Sequence, residues 1–278
     1  MEQLSRTHSD GISYLLSCGR DWGKYADPGI VSRNALSPPE ERRSELFNYY
    51  EVIELSHLNI PNPWNPCYIA NRAVQVTEEY FFGNWRQFYK VPFVYEDLVD
   101  DKLTSYDKSL RALDATDPIR WGLFFTTLTH ASDLRCKIAD FTLQDVCLNG
   151  GTWELSDQDM SFLKVLCEYL RVGEIDETSL FATECGATKR KRARLAYKCL
   201  NAICKKSAEE FNRCFKDYMK QYLSREYNPE LRPHTSCEGA ILFMLAQERG
   251  LPVSVAVEKH RQHLIVNVPN AVPACFSN

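Results

Sequence analysis

Cys237 and His263 are the two residues whose types and spacing carry the sharpest chemistry in this sequence. A sulfur is a nucleophile near neutral pH only where its surroundings favour the thiolate. A helix N-terminus does that, through outward-pointing backbone N–H groups and the positive end of the macrodipole. Cys237 lies in Pro233-His234-Thr235-Ser236-Cys237-Glu238-Gly239-Ala240, in which Thr235 and Glu238 have the T-x-x-E spacing of a capping box. The pattern predicts that Thr235 or Ser236 caps a helix and that Cys237 sits in its first turn. An imidazole within hydrogen-bond reach would then act as the base.

The neighbouring elements must deliver that imidazole. The helix is expected to end at Gly250, with Leu251-Pro252 turning the chain. Residues 253–257 alternate as a strand, 258–262 read as a turn, and 263–268 as the returning strand. In that order the second strand can lie beside the helix tip and aim His263 at Cys237. These residues resemble the transglutaminase-like branch of the papain-like cysteine hydrolases. The matching features are the cysteine at a helix start, the passage Ala246-Gln247-Glu248-Arg249-Gly250-Leu251-Pro252, and the strand opening His263-Leu264-Ile265-Val266. The likeness runs from His234 to Val268 of a 278-residue chain. It implies acyl transfer or amide hydrolysis through a thioester, on a protein or peptide substrate and without a cofactor. Cys237 would be the nucleophile and His263 the base. No acidic residue follows His263, so Asn270 is the residue expected to orient the imidazole. The same residues also fit a purely structural element, a capped helix with a buried cysteine followed by a hairpin.

A third chemistry is zinc, from His234-x-x-Cys237 and His260-x-x-His263, with Cys275 as a further thiolate. Structural zinc sites hold close ligand pairs across a short knuckle, whereas a helix and a strand separate these pairs. No metal ligand is assigned.

The second feature is a charge run. Lys189-Arg190-Lys191-Arg192 is followed by Arg194, Lys198, Lys205 and Lys206, so residues 189–206 carry eight basic side chains and no acidic one. The whole chain has a formal charge of −4, which leaves −12 for the remainder. Lys189, Arg190, Lys191, Arg192 and Arg194 are the candidate binding residues, for an acidic partner or a nucleic acid, or for nuclear import. A solvated helix end is the bland alternative. Cations there oppose the macrodipole, at about 0.3–1 kcal/mol each.

The composition frames both features. With 33 basic and 37 acidic residues, a histone-like protein is excluded. Twelve glycines and 13 prolines are too few for a linker or a collagen. The eleven cysteines are odd in number and form no C-x-x-C pair, which suits reduced thiols in the cytosol or nucleus. The start lacks a basic region followed by an apolar run, and no apolar stretch reaches membrane length, so neither a secretory signal nor a membrane partner is expected.

Helices are predicted from Ser37-Pro38-Pro39 to about Leu58, from Asp117-Pro118, from Ser156-Asp157-Gln158-Asp159 to Gly173, and as one long helix over 188–227. Residues 73–95 fit a strand pair or a helix. The expected fold is therefore mainly α with a small C-terminal α+β element, a helix followed by antiparallel strands. Residues 1–180 and 181–278 read as two regions, or as one domain.

Overall fold

A computed structural model describes residues 39–59, 64–83, 94–99, 102–107, 113–114, 116–144, 153–154, 160–223 and 235–270. Two helices come first, α1 (Pro39–His57) and α2 (Pro66–Phe82). Pro66 occupies the first turn of α2, and the Asn65 side chain accepts hydrogen bonds from the backbone N–H groups of Cys67 and Tyr68. An antiparallel hairpin follows, β1 (Val94–Val99) with β2 (Lys102–Asp107). A two-residue strand β3 (Leu113–Asp114) pairs in parallel with the equally short β4 (Trp153–Glu154). The helices α3 (Thr116–Leu128) and α4 (Ser132–Phe141) lie between those two short strands.

The other described elements are helical. It comprises α5 (Met160–Val172), α6 (Leu180–Ala187), α7 (Lys191–Cys204), α8 (Ala208–Gln221), α9 (Cys237–Glu248) and the single turn α10 (Val255–Glu258). The helix pairs α1–α2, α4–α5 and α7–α8 pack side by side, and α9 packs against α3, α7 and α8. Every residue from Cys237 to Ala246 is buried, so α9 is apolar all round and forms the axis of the core. Phe243 of α9 meets Phe215 of α8 with ring centroids 6.0 Å apart. Among the described residues no helix is long and apolar enough to cross a membrane.

Two expectations need correction. The long helix over 188–227 is a hairpin. Lys206 takes a left-handed conformation (φ 52°), and Ser207 then caps α8 by accepting from the Glu210 N–H. Thr188–Arg190 separate α6 from α7 in the same region. The basic residues therefore spread over two helix ends and a turn.

The larger correction concerns the C-terminal region, where among the described residues no antiparallel α+β element forms. Residues 253–257 alternate valine with a small residue, but alternation makes a strand only where one face buries against a neighbour. Here Val257 is fully buried while Val255 is 77% exposed. Asn212 of α8 fixes the start of this passage, donating to the Pro252 carbonyl at 2.9 Å and accepting from the Ser254 N–H at 2.6 Å. The Ser254 carbonyl then accepts from both Val257 and Glu258, closing a helical turn. A 3₁₀ turn over Arg261–His263 follows, Leu264 takes extended angles, and the chain bends at Asn267. Gly250 does end α9, with φ 70°.

Candidate functional site

The start of α9 is held by bonds from several elements. Ser236 is the N-cap, and its Oγ accepts from the Gly239 N–H at 3.0 Å. Its own N–H donates to the His263 carbonyl at 2.8 Å. Thr235 is held from three sides. Its N–H and hydroxyl both donate to Glu54 Oε1 at 2.7 Å. Its carbonyl accepts from the Tyr50 and Tyr222 hydroxyls at 3.0 Å each. The Tyr218 hydroxyl lies 3.0 Å from Ser236 Oγ. Thus α1 and α8 converge on the residues before α9. Those tyrosines are held neutral chiefly by burial, which pushes all three hydroxyls above the ordinary tyrosine range.

Glu238 is the charged member of this cluster, and it is 7% exposed. Arg120 of α3 donates from Nε to its Oε1 at 2.7 Å. Burial pushes the Glu238 carboxyl up, but the charges of Arg120 and Arg192 outweigh that effect and hold it down to about 2. A cavity of about 10 Å³, the size of one water, lies between Arg192, Tyr218 and Glu238. Glu238 does not close the capping box expected from T-x-x-E. It is the second residue of the helix rather than the third, and its carboxylate faces a guanidinium instead of the N-cap N–H.

Cys237 is the first residue of α9, as its place after Ser236 suggests. Its sulfur is largely covered, with the residue 8% exposed, and the thiol donates to the Arg120 carbonyl at 3.7 Å. His263 ends the 3₁₀ turn rather than opening a strand. Its half-buried ring has Nε2 3.1 Å from the Gln262 side-chain amide. The two segments are joined through the backbone, by the Ser236 to His263 bond. Asn270 is exposed and lies on the rim of an open cleft that also includes His57 and Arg261. His57 Nε2 donates to the Gln262 carbonyl at 3.1 Å.

The chain matches no protein-family model, no curated protein and no solved structure.

Only part of the zinc reading falls on described residues. His234 and Cys275 lie outside the described residues. His260 is half-buried, its pKa lowered by burial and then by Lys216. Among the described residues no group of three His, Cys, Asp or Glu side chains is placed to hold a metal ion.

The basic cluster splits in two. Lys189, Arg190, Lys191 and Arg194 are exposed at the tip of α7. Arg192 is half-buried and lines the small cavity beside Glu238. Lys205 leaves the group as well, pairing with Glu177 at 2.7 Å. Arg190 is the N-cap of α7 and makes no side-chain capping bond. Arg120, Glu54, Tyr50 and Tyr218 are the partners in this cluster that sequence reading missed. Their signal is long-range, since a buried acid such as Glu238 requires a cation that no local pattern names.

Proposed function

We propose that this protein binds the phosphate backbone of a nucleic acid at the tip of α7. The observation that supports this is four exposed cations, Lys189, Arg190, Lys191 and Arg194, gathered at a helix N-terminus with no side-chain cap. Each cation there works against the helix dipole. A phosphate would satisfy both, because its charge neutralises the side chains and its oxygens accept from N–H groups of the first turn. Lys198, exposed on the next turns of α7, extends the surface. No base-reading motif accompanies it, so recognition is of backbone charge rather than sequence.

On this reading Cys237 is a structural residue. Its covered sulfur, turned to a carbonyl, and the missing strands argue for packing rather than thioester chemistry. The eight described cysteines are free thiols, in keeping with a role in the reducing cytosol or nucleus.

The test is a fluorescent 20-nucleotide single-stranded RNA titrated with the full chain at several salt concentrations. The logarithm of affinity should fall linearly with the logarithm of salt, with a slope of about −0.7 per phosphate contact. Reversing Lys189, Arg190, Lys191 and Arg194 to Glu should flatten that slope and cut affinity at least about tenfold. Unchanged binding would overturn the proposal. So would polyglutamate binding as tightly as RNA, which would make the partner an acidic protein.

A further inference from the structure

We propose that the water-sized cavity where α7, α8 and α9 meet holds one ordered water linking the Arg192 guanidinium to the Glu238 carboxylate, and that Arg192 is thereby a positioning residue of the basic tip and not one of its phosphate ligands. The second half rests on the nucleic-acid reading above and deepens it, by naming which cations of the run touch phosphate.

The carboxylate carries the argument. Glu238 is 7% exposed, and its Oε1 accepts from Arg120 Nε at 2.7 Å. Oε2 accepts from the Tyr218 hydroxyl at 3.5 Å, the outer limit of a hydrogen bond, and the same hydroxyl lies 3.0 Å from Ser236 Oγ. A buried carboxylate oxygen calls for a closer donor. The cavity stands beside it, with a volume of about 10 Å³, and its wall brings Arg192, Tyr218 and Glu238 together. A buried water needs about that much room and two to four polar partners. Here it accepts from the guanidinium and donates to the carboxylate. Ala193 and Ala196 make the room, since both are buried in the wall and both end at a methyl group.

The helix explains what the link does. Arg192 is the second residue of α7, whose N-cap, Arg190, makes no side-chain capping bond. Lys191 and Arg194 are exposed, whereas Arg192 borders the buried stripe of Ala193, Ala196 and Cys199. Its charge reaches Glu238 and the Tyr218 and Tyr222 hydroxyls. A cation in a first turn opposes the helix dipole, and an internal carboxylate offsets that. The first turn of α7 is therefore fastened from inside at Arg192, with Lys189, Arg190, Lys191 and Arg194 left exposed.

The experiment uses the full chain, a fluorescent 20-nucleotide single-stranded RNA at several salt concentrations, and amide hydrogen exchange of the unliganded protein. Exchange is read at residues 194–197, whose N–H groups close the first turn of α7, as Arg194 does on the Arg190 carbonyl. Lys189→Gln, the comparator, should flatten the salt slope by about 0.7, one phosphate contact. Arg192→Met should keep the wild-type slope and speed exchange at 194–197. It should lower affinity about threefold, as for a tip ordered about a third of the time. Arg192→Lys keeps a charged donor and should recover most of both losses. Ala196→Val fills the cavity with methyl groups and should reproduce the Arg192→Met pattern. Ala196→Ser puts a hydroxyl in the water's place and should not. A slope flattened by about 0.7 in Arg192→Met would make Arg192 a phosphate ligand and overturn the proposal. So would wild-type exchange at 194–197 in either Arg192→Met or Ala196→Val. A wild-type chain that binds no RNA would sink the nucleic-acid reading alone, because the exchange measurement still decides the link.

Discussion

The N-termini of α7 and α9 face the same problem with opposite solutions. Each helix begins with backbone N–H groups that have no partner inside the helix. At α9 the problem is solved internally. Ser236 caps, Glu238 adds a negative charge in the first turn, and α1, α3 and α8 all supply bonds. At α7 the cap is Arg190, which makes no side-chain capping bond, and the surrounding side chains are cations in water. A buried helix end must be completed by the protein itself, since no solvent can reach it. An exposed one can be left for a ligand to complete. Arg192 connects the two ends, because it belongs to the basic run by sequence and to the Glu238 cluster by position.

Three variants sharpen or break this contrast. The largest effect is expected from Glu238→Ala, which strands Arg120 and Arg192 beside the core. Removing one member of a buried ion pair costs roughly 3–5 kcal/mol, read by urea denaturation. The wild-type chain should show the matching pH dependence. The Glu238 carboxyl is depressed from 4.5 to about 2, so its contribution is complete above about pH 4.5 and is lost as the pH falls through about 2. A variant whose acid unfolding matches that of the wild type would show that the pair is not what holds this end.

Ser236→Ala comes next. It removes the cap of α9 and one of the two partners of the Tyr218 hydroxyl, and should lower stability by about 1–2 kcal/mol. No loss would mean that the His263 and Glu54 contacts suffice without the cap. The smallest effect, of opposite sign, is expected from Arg190→Asp. It gives α7 a capping side chain and a favourable charge, and should raise stability by about 1 kcal/mol while weakening RNA binding. Stabilisation without loss of binding would separate the helix end from the binding surface.

The sequence was most informative where local chemistry decides. Pro39, Ser236-Cys237 and Gly250 mark helix boundaries through capping, proline geometry and positive φ, and each stands where those rules put it, whereas the start of α2 at Asn65-Pro66 was not read from the same rules. The break between α7 and α8 was legible but passed over, because Ser207 followed by Glu209 and Glu210 is an N-terminal signature inside an otherwise continuous apolar stripe. The alternation of 253–257 misled for a different reason. Period two states what a segment would do beside a strand, and it carries no information about whether that strand exists. The exposure of Val255 records the missing neighbour. The cluster around Thr235 was not legible at all. Its partners Tyr50, Glu54, Arg120 and Tyr218 come from three distant helices, and hydrogen bonding at that range leaves no periodic trace.

The bond from Thr235 to Glu54 spans 181 residues. During synthesis α1 emerges with an acid and a tyrosine whose partners have yet to be made. Domains with such remote closures gain cooperativity late, because the entropy of a long loop must be met before the contact rewards it. Until Thr235 leaves the ribosome, the nascent helices hold an unfinished interior. The apolar faces left open in that interval are the surfaces on which self-association can begin.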